Sequence, residues 1–380
     1  MTSAPRTARR LLLALALTAG GTLPLQADVA LPAIFGDHMV LQRNAKTPVW
    51  GTASPGEKVA VTLGSRRAET VAGADGAWRV DLPPQPRPEG DAPLEMTVAG
   101  NNAVTFRDVL LGDVWLCSGQ SNMEFNLGGC HNRATAVPQA NDPGLRFFVV
   151  KRKLSLRPEA SLEGSWQICT PQTAAAFSGV GYFFGRALRE AASTGKAPVG
   201  LIGNYWGGST AQAWTSISGL EKPFPLQRYL DLYKANADHF DQLNDHYAER
   251  LAAYQADIKA WQTPENIAAE KAWGARLREA RAAHQPDPPV DFPPKPREPP
   301  IPGGDQKGPA NLYNGMIAPL VPYALKGIAW YQGEYNTDDP MEYYVLFPRL
   351  IGDWREKWGR PDLPFLFVQL PPLFNPANPA

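Results

Sequence analysis

Asp113-Val114-Trp115-Leu116-Cys117-Ser118-Gly119-Gln120-Ser121-Asn122-Met123-Glu124 is the stretch whose reading decides the fold. Residues 109–117 form a nearly continuous apolar run. Such a run suits a parallel strand buried on both faces. Gly119-Gln120-Ser121 then breaks it, and a helix is expected to follow. In an open α/β sheet, ligands bind at the carboxyl ends of strands. A serine on the first turn after the first strand of the α/β part would stand exposed there. The next helix would aim backbone N–H groups and a positive dipole at it. That environment favours a developing oxyanion, which is what acyl transfer needs. The same residues also suit a helix N-cap serine behind a turn glycine, and spacing alone leaves both readings open.

Outward from this stretch the same alternation continues. Apolar runs at 145–150, 199–205, 327–331 and 365–370 read as further buried strands. Helical patterns at 177–192 and 342–358 lie between them. Strand–helix alternation predicts an open parallel sheet with helices on both faces. Two more strand ends carry turn glycines among polar and aromatic residues. One is Asn204-Tyr205-Trp206-Gly207-Gly208-Ser209-Thr210, where two glycines let backbone approach a ligand closely. The other is Trp330-Tyr331-Gln332-Gly333-Glu334-Tyr335-Asn336, whose amide, carboxylate and rings suit a polar, sugar-sized ligand. Either could also be an ordinary capped loop.

Residues 28–107 read differently. Short runs such as Val59-Ala60-Val61-Thr62-Leu63 and Trp78-Arg79-Val80-Asp81-Leu82 are split by Ser54-Pro55-Gly56-Glu57 and Gly73-Ala74-Asp75-Gly76. Regularly spaced short strands predict a small all-β sandwich. The boundary with the α/β part, 108–380, falls near residue 108. A helical insertion spans about 221–285. Its apolar residues from Leu230 to Trp261 recur by threes and fours, which predicts one long amphipathic helix. Thr263-Pro264 starts a second helix to about Ala283, and the two are expected to pair as a hairpin. The proline-rich residues 285–309 read as an extended linker or a loop hugging the surface.

The 380 residues suit two to three domains at roughly 100–200 residues each. With 44% hydrophobic and 19% charged residues, the composition is that of a globular protein. Lys+Arg and Asp+Glu are both 37, so the basic excess typical of nucleic-acid binders is absent. No apolar run reaches the ~20 residues of a membrane-spanning helix. Arg6, Arg9 and Arg10 precede a short apolar core at 11–19, and Leu25-Gln26-Ala27 suits cleavage before Asp28. Residues 1–27 are therefore expected to be a signal peptide, with export to a bacterial periplasm or beyond. Cys117, Cys130 and Cys169 form no C-x-x-C or Cys/His cluster, which argues against a structural zinc site. Two of them could pair in an exported protein, although Cys117 sits in an apolar run and reads as a core residue.

The quoted stretch resembles the nucleophile block of the sialate O-acetylesterases, a family of the SGNH (GDSL-like) hydrolase superfamily. Matching motifs are His38-Met39-Val40-Leu41-Gln42, Trp206-Gly207-Gly208, Tyr313-Asn314-Gly315-Met316-Ile317-Ala318-Pro319-Leu320 and Trp330-Tyr331-Gln332-Gly333-Glu334. The resemblance runs from about residue 30 to about 371. It implies an SGNH-type open sheet and a serine esterase acting on O-acetyl groups of sialic acids or related carbohydrates. By it, Ser121 is the nucleophile. Gly207, in preference to Gly208, supplies a backbone oxyanion donor. Gln332 supplies an amide donor, and Asn122 and Glu334 contact substrate. No cofactor, metal, nucleic acid or protein partner is implied. The chain has Gly-Gly-Ser-Thr where the family has Gly-Gly-Thr, and Gly333-Glu334-Tyr335 where it has Gly-Glu-Ser.

The superfamily draws its base from an Asp-x-x-His near the C-terminus. No Asp stands three residues before His38, His131, His239, His246 or His284. His131, ten residues after Ser121, is the nearest candidate. The last expected strand also has no covering helix after it. Both features lead to the expectation of a C-terminally incomplete chain. Three readings stay in play: a secreted carbohydrate esterase, sialate- or acetylxylan-type; a non-catalytic carbohydrate-binding protein on the same scaffold; and acyl transfer between sugars.

Overall fold

The computed structural model describes residues 28–191, 195–222 and 226–371. The expected signal peptide, Ala192 at the end of one expected helix, and residues 372–380 lie outside them.

The described chain opens with short strands: β1 (Val40–Gln42), β2 (Thr47–Thr52), β3 (Lys58–Leu63), β4 (Arg66–Val71), β5 (Ala77–Leu82) and β6 (Leu94–Ala99). Strands β3 and β5 alternate buried and outward positions, as the period-2 pattern requires. The antiparallel sheet β4-β3-β6 and the β2–β5 pair share a core of Val59, Val61, Leu63, Trp78, Val80 and Leu82.

Strand β7 (Ala103–Gly119) crosses from this part into the next without a break in pairing. It pairs antiparallel with β6 as far as Val109, and parallel with β10 (Val199–Tyr205) from Asp113. Between Phe106 and Val109 it carries one residue more than β6 opposite, a bulge that lets the strand change direction. Asp108 sits in that bulge at φ 56°. Its carboxylate takes Arg146 at 2.7 Å and His38 Nδ1 at 2.6 Å. Burial opposes the charge, yet the hydrogen bonds from Arg146 and His38 hold the Asp108 carboxyl below its ordinary range.

The larger sheet runs β12-β11-β7-β10-β8-β9, with β8 (Asp142–Val149), β9 (Trp166–Cys169), β11 (Gly327–Tyr331) and β12 (Phe365–Phe367). All its pairs are parallel except the edge pair β8–β9. Alternate residues face two cores. Trp115, Cys117, Phe147 and Leu201 face one, and Leu116, Phe148, Ile202 and Ile328 face the other. Short helices α1 (Ser121–Glu124), α2 (Arg133–Gln139) and α3 (Pro171–Ala176) join α4 (Gly179–Glu190) at the first core. On the second lie α5 (Ile217–Glu221) and α10 (Pro340–Lys357), the latter through Leu346, Leu350 and Trp354. Strand β12 ends at Phe367, shorter than expected. Phe365 packs on Trp354 and Phe347 of α10, while Leu366 and Phe367 are exposed.

The expected single helix through 230–261 is three: α6 (Gln227–Asp238), α7 (Phe240–Asn244) and α8 (Tyr247–Trp261). The breaks fall at His239 and at Asp245-His246, where Asp245 is extended and His246 is left-handed at φ 56°. Short polar side chains compete for helix-end backbone groups, so Asn244-Asp245 favours a stop that apolar periodicity does not reveal. Helix α9 (Pro264–Ala282) follows across a two-residue joint, capped by Thr263 as expected. The proline-rich segment hugs these helices. Phe292 lies 6.1 Å from both the Trp261 and Trp273 rings, and Arg276 pairs with Asp291.

Candidate active site

Gly119, the last residue of the central strand, pairs with Tyr205 on one side and Tyr331 on the other. The three glycine-bearing loops therefore leave the sheet side by side, at one level, with the serine loop in the middle. Gly119 has φ 139°, and a Cβ there would sit 2.1 Å from the Tyr331 carbonyl oxygen. No other residue fits, and the sharp turn that results lets Gln120 donate its N–H to that oxygen at 3.0 Å.

Ser121 opens α1 and is exposed. Among the described residues neither its hydroxyl nor its N–H has a hydrogen-bond partner. Gln120 beside it is buried, and its Oε1 accepts the N–H groups of Gly333 at 3.2 Å and Tyr335 at 3.4 Å. That amide ties the serine loop to the third loop.

The second loop closes the other side. Trp206 donates its N–H to Gly119 O at 3.1 Å. A Cβ on Gly207 would lie 3.5 Å from Ser121 Cβ, so the glycine seats this loop against the serine. The Gly207 N–H, however, donates to Glu124 Oε2 at 2.7 Å. Glu124 also pairs with Arg152, whose guanidinium lies 5.1 Å above the Trp206 ring. Gly208, at φ 74°, has no partner for its N–H among the described residues. The Gly207 hydrogen, expected to serve an oxyanion, is here donated to a carboxylate, and that of Gly208 is unspent among the described residues.

Gln332, expected as an amide oxyanion donor, is held in a hydrogen-bond network. It is 2% exposed, and its amide donates to Ser209 O at 3.2 Å and to Asn336 Oδ1 at 2.7 Å. Its Oε1 accepts from the Tyr343 hydroxyl at 3.2 Å. Asn336 in turn accepts the Ala211 N–H at 2.9 Å and donates to Gln212 Oε1 at 3.0 Å. The side chain points into the scaffold and staples the second and third loops. Both amide hydrogens have acceptors here. Asn122 and Glu334 do come together: the Asn122 amide donates to Glu334 Oε1, and Glu334 Oε2 is buried without a partner.

No histidine meets the serine. His38 bonds Asp108, His239 bonds the Ala235 carbonyl, and His246 bonds Glu249. His131 and His284 are exposed. Among the described residues no cluster of three His, Cys, Asp or Glu side chains could hold a metal ion. The three cysteines are free, and burial pushes the Cys117 thiol up to about 12 and the Cys169 thiol up to about 11.

Gln120, Glu124, Arg152 and Asn336 are the site residues that sequence reasoning did not single out. Gln120 and Glu124 stand inside the decisive stretch itself. Arg152 carries no local signal, because its partner lies 28 residues away across the sheet.

Ser121 stands at the end of the central strand of an open, mostly parallel sheet, as in an SGNH-type α/β fold. The family model described as carbohydrate esterase, sialic acid-specific acetylesterase, matches residues 111–248 and 305–378, and the chain belongs to that family. Sialate O-acetylesterases of Mus musculus and Rattus norvegicus are 29% and 30% identical to it over 364 residues, covering 88% of this chain and 58% of theirs. That of Homo sapiens is 28% identical, covering 88% and 56%. The crystal structure of a carbohydrate acetylesterase from Xanthomonas citri shares 33% identity and a TM-score of 0.64, over 90% of this chain and 60% of that one. The chain spans less than three fifths of the length of these curated relatives.

Proposed function

We propose that this chain is an exported carbohydrate esterase that removes O-acetyl groups from sialic acids or related sugars. The reading rests above all on Ser121: an exposed, unbonded hydroxyl at the central strand end, on a loop that lies beside the one carrying Gly208 with its unspent N–H. Ser121 Oγ attacks the acetyl carbonyl carbon. The carbonyl oxygen becomes an oxyanion and takes the N–H groups of Ser121 and Gly208. The sugar leaves with a proton, and water then releases acetate from the acyl-serine. Two backbone donors on an oxyanion would be worth several kcal/mol, since loss of one oxyanion donor costs about 3–4 kcal/mol. Glu124, Arg152 and Gln332 act by holding the donor loops. Asn122 and Glu334 line the sugar side.

A serine hydroxyl is a weak nucleophile at neutral pH until a base takes its proton. None of the five histidines is bonded to Ser121, and this favours the second reading, a carbohydrate-binding protein on an esterase scaffold. An acetylated sugar separates them. Release of acetate that Ser121→Ala abolishes supports the esterase. Retention of the intact acetyl sugar by both proteins supports the binder. Export is supported by the leader-like sequence, and no helix among the described residues is long and apolar enough to cross a membrane.

A further inference from the structure

We propose that a cavity beside the Ser121 site, walled by the loop after β8, helices α6 and α7 and residues 302–311, holds an uncharged sugar unit of the glycan whose acetyl group reaches the serine. The proposal rests on the carbohydrate-ester reading above. The cavity measures about 720 Å³, within the ~300–1,000 Å³ range of small-ligand sites.

It adjoins the serine along two strips of chain. Arg152 pairs with Glu124 at the serine loop, and Leu154, two residues on, already lines the cavity. At ~3.8 Å per residue step, their Cα atoms lie no more than about 8 Å apart. On the other strip, the Gln306 amide approaches Gly208, and Gly303 three residues earlier lines the cavity. These two strips thus tie the cavity wall to the serine loop and to the Gly208 loop.

The lining has the two-sided chemistry of a pyranose. Leu154, Leu156, Tyr233 and Phe240 present apolar and aromatic surface, which suits the C–H face of a sugar ring. Arg157 and Asp241 supply a donor fork and an acceptor for hydroxyls, and neither side chain has a partner among the described residues. Their charges oppose one another. The remaining carboxylate, Glu159, is already paired with Lys153 at 2.9 Å. The cavity is thus balanced in charge, which favours a neutral unit over an acidic one. Asn311 in the wall spends both amide hydrogens on the Gly303 and Asp305 carbonyls, leaving its buried Oδ1 unpaired. Tyr233, Ala237, Phe240 and Asp241 recur at the spacing of one helical face, which continues past the break at His239.

The test is an array of uncharged oligosaccharides of galactose, glucose, N-acetylhexosamine and xylose, printed beside sialylated and uronic-acid-bearing counterparts. It is probed with the full 380-residue chain and its Ser121→Ala, Arg157→Ala and Asp241→Ala variants. Arg157 and Asp241 are exposed, so neither change threatens folding. The parent and Ser121→Ala should retain the same neutral sugars. Arg157→Ala and Asp241→Ala should each weaken retention roughly tenfold or more, the worth of a hydrogen bond to a charged group. No retention of any neutral sugar, retention of acidic sugars alone, or retention that both cavity variants leave intact overturns the proposal. Acetate release is scored separately on the same proteins. Its absence counts against the serine reading and leaves the cavity result standing.

Discussion

The Glu124 carboxylate accepts the Gly207 N–H at 2.7 Å. This bond joins the helix that carries Ser121 to the loop that carries Gly208, and Arg152 neutralises the carboxylate from the far side. Removing the acceptor frees both loops. Glu124→Ala should cost about 1–3 kcal/mol of stability, as for a charge-assisted hydrogen bond. Glu124→Gln keeps an acceptor for Gly207 and should recover at least half of that loss. Urea unfolding of the three proteins checks this. Equal stability in all three would show that the bond holds nothing.

The two glycines should respond differently to an oxyanion. With glycine-specific ¹⁵N labelling, titration with dimethylarsinate should move the Gly208 amide resonance and leave that of Gly207 nearly in place. The cause is that only the Gly208 hydrogen is unspent. A shift at Gly207 alone would return the donor role to it.

Gln332→Ala should act on stability before chemistry. The variant leaves Ser209 O without a donor in a buried setting and strips Asn336 Oδ1 of one of its two donors, the Ala211 N–H remaining. A loss of about 1–3 kcal/mol is expected, as for one unsatisfied buried group. A variant as stable as the parent but slower at Ser121 would instead make Gln332 an oxyanion donor.

Acid should loosen the junction between the two sheets. Asp108 has a folded pKa below its ordinary 3.8, because hydrogen bonds from Arg146 and His38 outweigh burial. A depressed carboxyl adds stability that is fully present above its unfolded pKa, near 3.8, and is lost as pH falls through the lower folded value. Asp108→Asn should therefore flatten the fall in stability below about pH 4. An unchanged acid limb in that variant would assign the effect to other carboxylates.

Much of this was legible in the sequence. Apolar runs buried on both faces give the strands around 109–117, 199–205 and 327–331. The glycines after them mark where chain must turn sharply, so Ser121 and its two flanking loops could be named. What failed depends on side-chain direction. Whether Gln332 points at the serine or into the scaffold is set by Asn336, Ser209 and Tyr343 around it. The fate of the Gly207 hydrogen depends on Glu124 one turn beyond Ser121, and Glu124 is held by a distant arginine. The helix breaks at His239 and His246 come from local polar competition that apolar periodicity does not encode.

The central claim is that Ser121 is a nucleophile facing oxyanion donors. It is tested most directly by exposing the chain to a fluorophosphonate and locating the adduct by peptide mass spectrometry. A phosphonyl group on Ser121, absent from Ser121→Ala and competed by an acetylated sugar, is the predicted result. Labelling should be slow, because no histidine is bonded to the hydroxyl. An unlabelled Ser121, or an adduct that forms elsewhere and persists in Ser121→Ala, would contradict the account.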